Sequence, residues 1–191
     1  MNLPFDPSVF AGKRVLVTGD TGFKGSWLSL WLNRIGADVW GLALPNEDER
    51  CHFSLLGLDK IITHRDGDVR DRSVVQSIFD DAKPEIVFHL AAQSLVKKSY
   101  ADPKLTFDTN VGGSINILDV ARDCSSLKAL TFITSDKCYL NKEWLWGYRE
   151  NDELGGLDPY SASKAAAEIV FRAYAASFID ARNDLGAATT R

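Results

Sequence analysis

Arg14-Val15-Leu16-Val17-Thr18-Gly19-Asp20-Thr21-Gly22-Phe23-Lys24-Gly25 is the stretch on which the fold turns. Its opening apolar run ends at a glycine, the pattern of a short strand buried in a parallel sheet. From about Gly22 the period changes. Leu28, Trp31, Leu32 and Ile35 recur at helical spacing, and Gly36 supplies a stop. Between strand and helix stand Gly19, Gly22 and Gly25. Glycines there permit a tight turn and let backbone approach a pyrophosphate, while the helix N-terminus offers free N–H groups and partial positive charge. A turn of purely structural purpose is the competing reading. The placement after a β run and before an amphipathic helix favours a dinucleotide fingerprint.

The alternation continues along the chain. Residues 38–44 read as a second strand closed by Pro45, and Ile61-Ile62-Thr63-His64 as a weaker third. Asp71 can cap a helix carrying Val74, Val75, Ile78 and Phe79. Residues 84–90 form a fourth strand, 103–123 a long helix, and 129–134 a fifth strand. Pro159 opens another long helix reaching about Ile179, and residues 186–191 look like the start of a sixth strand. Strands alternating with helices imply an α/β, doubly wound parallel sheet of the Rossmann kind, with residues 1–191 as one dinucleotide-binding domain. Residues 138–158 form a long polar loop holding Trp144, Trp146 and Tyr148, and loops of that length are usually functional or mobile.

Composition excludes several alternatives. With 191 residues, 45% hydrophobic and 25% charged, the chain has the make-up of a soluble globular domain. A formal charge of −4 without a long Lys/Arg run argues against a nucleic-acid partner. No apolar stretch is long enough to span a bilayer, which argues against a membrane partner. Met1-Asn2-Leu3-Pro4-Phe5-Asp6-Pro7 lacks the basic and apolar regions of a signal peptide. Cys51, Cys124 and Cys138 form no paired framework, which fits reduced thiols in a cytoplasm. Three histidines without ligand spacing give no metal site.

The chemistry concentrates at Thr134-Ser135-Asp136-Lys137 and Tyr160-Ser161-Ala162-Ser163-Lys164. Residues four apart share a helix face, so the Tyr160 hydroxyl and Lys164 ammonium can approach one substrate atom. The neighbouring positive charge would favour ionised Tyr160. With Ser135, the pair suggests alcohol oxidation by a dinucleotide. Asp136 and Lys137 add an acid and a base that hydride transfer alone does not need. A surface salt bridge at a strand end is the plainer reading of those two.

Further cofactor contacts are expected at the strand ends, where crevices open in such sheets. The Asp68 carboxylate, followed by Val69, can accept from an adenine amino group; a solvated turn aspartate is the alternative. Leu90, Ala91 and Ala92 are small enough for a cofactor to lie against backbone, though small residues also simply pack helices on sheets. Asn110 sits among apolar neighbours and reads as a buried polar brace. Leu42-Ala43-Leu44 offers neither the acid that binds an NAD ribose nor an arginine for NADP.

With these pieces placed, the chain resembles the extended short-chain dehydrogenase/reductase family of NAD-dependent epimerases and dehydratases. The general signs are Thr18-Gly19, Gly22-Phe23, Gly25, the Leu90-Ala91-Ala92 turn, Tyr160 and Lys164. More specific to its sugar-nucleotide 4,6-dehydratases are Thr21-Gly22-Phe23-Lys24-Gly25-Ser26-Trp27-Leu28, Thr134-Ser135-Asp136-Lys137-Cys138-Tyr139 and Trp144-Leu145-Trp146-Gly147-Tyr148-Arg149-Glu150.

The resemblance implies NAD held by Gly19, Thr21, Gly22, Phe23, Gly25, Asp68, Val69, Leu90, Ala91, Ala92, Tyr160 and Lys164. It implies a nucleotide-sugar substrate facing Gln93 and Ser135. Tyr160, Lys164 and Ser135 would serve oxidation at C4, Asp136 would protonate the departing C6 hydroxyl, and Lys137 stands where related dehydratases carry a glutamate base. A free lysine has a pKa of about 10.4, so Lys137 must either be pushed down to act as base or stay charged and stabilise an enolate. A redox cycle that closes within each turnover favours NAD over NADP. The family also implies a homodimer through the two long helices and a C-terminal substrate-binding portion beyond Arg191. A 4-epimerase shares the glycine loop, Ser135, Tyr160 and Lys164 but needs no acid–base pair for water loss. A dinucleotide-binding module without turnover is the rival from another class.

Overall fold

The computed structural model describes residues 6–46, 48 and 50–191. The reading of residues 1–5 as free of a leader lies outside the described residues. The apolar run becomes β1 (Arg14–Thr18), with Val15, Leu16, Val17 and Thr18 all fully buried. Its side chains alternate between two faces. Leu16 joins a core with Leu42, Val87, Leu130 and Phe132, whereas Val15 and Val17 join Leu32 and Val39 on the other side. The helix α1 (Phe23–Arg34) starts at Gly22 and is followed by Gly36 at φ 88°, the left-handed geometry that favours a glycine.

β2 (Asp38–Ala43) runs parallel to β1, with Arg14 opposite Asp38 and Thr18 opposite Leu42. After the short α2 (His52–Leu55) comes β3 (Thr63–Asp66), which starts two residues later than its apolar content suggests. Ile61 and Ile62 are held back by bonds from their N–H groups to the Leu58 carbonyl, closing a helical turn. An edge strand needs few apolar side chains, so the polar Thr63-His64-Arg65-Asp66 can form it.

Helix α3 (Arg72–Ala82) is capped as its sequence suggests: the Asp71 carboxylate accepts from the N–H groups of Ser73 and Val74. β4 (Ile86–His89) follows, then α4 (Val96–Ala101), a mostly exposed helix without an apolar period to announce it. The expected long helix consists of α5 (Pro103–Phe107), a wider π turn over Asp108–Gly113, and α6 (Ser114–Asp123). β5 (Ala129–Ile133), α7 (Pro159–Tyr174) and β6 (Gly186–Thr190) complete the order. β6 pairs along all of β5, from Ala129 opposite Gly186 to Ile133 opposite Thr190.

The strands lie in the order β3-β2-β1-β4-β5-β6, each neighbour parallel. This is the expected doubly wound α/β sheet. The chain reverses its direction of growth between β1 and β4, so a crevice opens at their C-terminal ends. Packed on one face are α3, α6 and α7; α1 packs on the other. The long polar loop is organised by its aromatic rings. Tyr139 stacks on Tyr148 at 5.1 Å, and Trp144 stacks on Trp146 at 5.2 Å. A bridge between Tyr139 and Leu154 closes its base. Among the described residues, no helix is long and apolar enough to cross a membrane.

Candidate active site

The glycine loop is built by close backbone approach. Gly19 has φ 77°, donates its N–H to the Leu42 carbonyl at 2.8 Å, and has no room for a side chain: a Cβ would lie 2.8 Å from the Ala91 nitrogen. At Gly25 a Cβ would fall 2.1 Å from the Gly19 carbonyl oxygen. The first turn of α1 therefore stands directly on the loop, with its N-terminus at the crevice. Asp20 turns away from that crevice and is fully buried. Its Oδ2 lies 2.7 Å from His64 Nδ1 on β3, while its Oδ1 is buried with no hydrogen-bond partner among the described residues. Gly41 on β2 makes space for this carboxylate, since a Cβ there would sit 2.0 Å from Oδ2. Burial pushes the Asp20 carboxyl up, against the opposing effect of His64. The bond to Asp20 pushes His64 up as well, and Asp66 reinforces it.

A hydrogen-bonded chain fixes the end of β4. The Ala91 N–H donates to Thr18 Oγ1, which lies 2.7 Å from His89 Nδ1, and His89 Nε2 lies 3.3 Å from Ser114 Oγ. Ser114 donates onward to the Asn110 carbonyl. With Ser114 and Thr18 as hydroxyl donors, the pattern is satisfied by the tautomer with hydrogen on Nε2. Burial pushes His89 down to about 3, so it is neutral. Asn110 is the brace its setting suggests: it accepts from the Gln93 N–H at 2.8 Å and donates to the Gln93 carbonyl and Ser163 Oγ.

On the other side of the crevice, β5 ends at Ile133, Thr134 and Ser135 follow, and a helical turn covers Asp136–Cys138. Ser135 Oγ accepts from the Lys137 N–H and donates to Asp136 Oδ1 at 3.0 Å. Asp158 caps α7 by accepting from Ser161, with Pro159 in the first turn, so Tyr160 and Lys164 lie one turn apart. Both are buried, at 8% and 6% exposure. Desolvation pushes Lys164 down to about 8; Cys138 and Glu168 oppose it, and Lys24 acts in the same direction as burial.

One cleft of about 840 Å³ gathers these parts. It is lined by Gly19, Thr21, Gly22, Phe23 and Gly25 from the loop, and by Asp68 and Val69 after β3. Leu90, Ala91, Ala92 and Gln93 after β4, Ser135 and Asp136 after β5, and Tyr160 and Lys164 on α7 also reach it. Three candidates have other engagements. Lys137 is exposed and lies outside that lining, where its charge acts on Asp158. The Asp68 carboxylate is paired with Arg70, whose hydrogen bonds hold it below the usual range. The Gln93 side-chain amide bonds to Leu95 and Thr106, closing its own loop.

Sequence reasoning assigned no role to Lys24, Arg70, Lys98 and Arg191, which also line the cleft. With Lys164 they make five cations against the carboxylates of Asp68 and Asp136, in a chain of net charge −4. Lys24 was legible, since it stands in the first turn of α1. Arg191 was not, because only the pairing of β5 with β6 brings it near.

A doubly wound parallel sheet, a glycine loop at its switch point, and Ser135, Tyr160 and Lys164 on one cleft define a Rossmann domain of the short-chain dehydrogenase/reductase class. The chain belongs to the GDP-mannose 4,6-dehydratase family, whose pattern matches residues 16–180. It is homologous to the CDP-glucose 4,6-dehydratase of Salmonella typhimurium, at 48% identity over 178 residues, covering 93% of this chain and 50% of that one. The chain thus spans about half the length of this curated relative. Among solved structures, the UDP-glucose 4-epimerase of Thermus thermophilus in complex with NAD is similar with a TM-score of 0.77 and 29% identity, covering 93% of this chain and 54% of that one. The dTDP-glucose 4,6-dehydratase of Streptomyces venezuelae, with NAD bound, gives 0.77 and 27% at the same coverages.

Proposed function

We propose that this chain is the cofactor-binding and catalytic part of an NAD-dependent nucleotide-sugar 4,6-dehydratase, with CDP-glucose as substrate. The observation that carries the reading is the convergence of Ser135, Asp136, Tyr160 and Lys164 on the cleft headed by the glycine loop. The similarity to the Salmonella enzyme supports the choice of sugar nucleotide.

The loop suits a dinucleotide diphosphate. Gly19 and Gly25 keep backbone where side chains would stand, and the cationic lining favours an anionic guest. Phe23 flanks the loop, Asp68 and Val69 border the adenosine end, and Leu90, Ala91 and Ala92 present flat backbone. NAD, when bound, supplies the hydride acceptor and returns the hydride later in the same cycle. A cycle that closes within each turnover has no need of NADPH.

Tyr160 takes the proton of the C4 hydroxyl. Lys164, close to its ionisation point near neutrality, keeps positive charge beside the phenolate, and Ser135 orients the same oxygen. The ketone formed at C4 acidifies the C5 hydrogen. Asp136, hydrogen-bonded to Ser135, protonates the C6 hydroxyl as water leaves. Lys137, at the rim, is the base of this reading: in its uncharged form it takes the C5 proton while Asp136 gives its own to the departing hydroxyl. Gln93 shapes the substrate side through the loop it closes. Asp136 beside Ser135 favours dehydration over 4-epimerisation, which needs no acid for a departing hydroxyl. The reading includes a cytoplasmic setting, consistent with three unpaired cysteines, and pairing of two copies through α5–α6 and α7, which sedimentation tests.

The decisive experiment incubates CDP-glucose and NAD with the 191-residue chain and with a form extended to the full length of its relatives. The short chain is expected to bind NAD without turnover, and the extended form to release a 4-keto-6-deoxy sugar nucleotide. A 4-epimer as the product would overturn the dehydratase reading. Absence of NAD binding by both forms would overturn the whole proposal.

A further inference from the structure

We propose that Glu168 is a positioning residue for this site: a buried carboxylate that ties the ends of β5 and β6 to the helix bearing Tyr160 and Lys164. The inference rests on the reading of those two residues as catalytic. Glu168 lies one turn beyond Lys164 and two beyond Tyr160, on the same stripe of α7. It is fully buried, on a helix whose Ala165, Ala167 and Phe171 are buried too. Packing alone would place an aliphatic side chain there, since a buried ion pair is at best a poor substitute for one in stability.

Its two oxygens are used in different directions. Oε1 accepts from the Thr134 hydroxyl at 2.5 Å, and Thr134 immediately precedes Ser135. Oε2 accepts from the Thr189 hydroxyl at 3.2 Å and from Arg191 Nη2 at 2.8 Å. Arg191 continues to the Tyr139 hydroxyl at 2.7 Å and the Glu150 carbonyl at 2.9 Å. One carboxylate thus joins α7, both strand ends, and the aromatic loop that leaves the Ser135 turn. This joint helps to set the distance between Ser135–Asp136 and Tyr160–Lys164, together with the bond from the Thr134 N–H to the Thr190 carbonyl at 2.8 Å, the contact of the Thr134 hydroxyl with that carbonyl at 3.1 Å, and the packing of Cys138 with Ala165 on α7.

The joint also carries charge. Against the cost of burial, bonds from Arg191 and Thr134 hold Glu168 below the usual carboxylate range, so it is an anion. The titratable groups facing Lys164 are Tyr160 and Glu168 on its own helix, Cys138 after β5, Lys24 on α1 and His89 on β4. Burial pushes the Cys138 thiol up to about 11, and His89 is neutral. Cys138 and Glu168 both favour the ammonium of Lys164 against its desolvation, and with the thiol pushed up, Glu168 is the one of the two that is an anion near neutral pH.

The test reads Lys164 directly, by NMR titration of the lysine-labelled chain, with its resonance assigned through loss in Lys164→Arg. Glu168→Gln removes the anion and is expected to weaken proton binding at Lys164 by roughly tenfold. A merely structural loosening would admit water and strengthen proton binding instead. An unchanged or raised midpoint in folded Glu168→Gln would overturn the proposal. Thr134→Val, which replaces the hydroxyl by a methyl and removes its contacts with Glu168 and the Thr190 carbonyl, keeps the question open to test where Glu168→Gln does not fold. The Ser135 and Asp136 amide resonances should move in it while those of Gly19 and Gly25 stay; unmoved Ser135 and Asp136 amides would refute the positioning role. Neither measurement needs cofactor or turnover, so failure here is separable from failure of the proposed reaction.

Discussion

Gly25→Ala isolates what the glycine loop does. The added methyl would lie 2.1 Å from the Gly19 carbonyl oxygen, 2.8 Å from its carbon and 2.9 Å from the Asp20 Cα, all backbone atoms that cannot swing aside. Ordinary contact begins at 3.4 Å, so loop and helix must part by more than 1 Å. Two effects oppose one another in stability. Overpacking costs about 1–3 kcal/mol, and replacing a helical glycine by alanine returns about 1 kcal/mol. The melting temperature should fall by only a few degrees. Binding has no such offset. The N–H groups at the start of α1 shift relative to a bound diphosphate, and weakening one or two charge-assisted hydrogen bonds of about 1.5–3 kcal/mol each lowers NAD affinity by roughly tenfold to several hundredfold. Calorimetric titration of NAD into wild-type and variant chains measures this directly. Gly112→Ala, where nothing lies within 4 Å of the new methyl, is the control and should bind as wild type does. Gly25→Ala binding NAD within twofold of wild type, or Gly112→Ala losing as much, would refute the argument.

The other expectations concern protons and chemistry. His64 is raised by its bond to Asp20, so the stability it supplies is full below its ordinary value of 6.5 and is lost as pH rises through the raised one; denaturation midpoints of His64→Asn should lack that alkaline decline. His89 runs the other way. Its depressed value means that stability is full above 6.5 and is lost as pH falls toward about 3, and acid titration of unfolding should be shallower in His89→Gln, once its lower starting stability is subtracted. In the full-length enzyme, Tyr160→Phe should slow the appearance of NADH by about 10²–10⁴-fold; an unchanged rate in stopped-flow absorbance removes Tyr160 from the oxidation step. Asp136→Asn should leave that first step intact and slow loss of water, measured by solvent-deuterium incorporation and product formation in single turnovers. Loss of C4 oxidation with normal elimination would contradict its role.

The parts of the fold legible in sequence were those set by local chemistry. The β1 run, the glycine spacing and the Asp71 cap each act within a few residues, and each stands where its pattern places it. The third strand was displaced because Ile61 and Ile62 satisfy the apolar pattern of a strand while closing a helical turn. Helix α4 lacks an apolar face and went unseen. Of the candidate site, the residues at strand ends were readable because the topology brings strand ends together. What pairs with what was not. Asp20 with His64, Asp68 with Arg70 rather than an open crevice, and Glu168 with Arg191 depend on register and on rotamer choice. Lys137 illustrates the same limit: adjacency to Asp136 in sequence does not carry it into the cleft lining.

The contact between Asp20 and Gly41 has a consequence for anyone re-engineering cofactor choice. In Rossmann domains the end of β2 is where selectivity between NAD and NADP is usually rewritten. Here Gly41, two residues before that end, is a socket for the loop's own carboxylate, and a side chain installed at position 41 would displace Asp20, whereas Ala43 and Leu44 line the cleft. Positions 20, 41 and 64 therefore form one packing unit, and a design aimed at the cofactor is better placed at positions 43 and 44, which leave that unit intact.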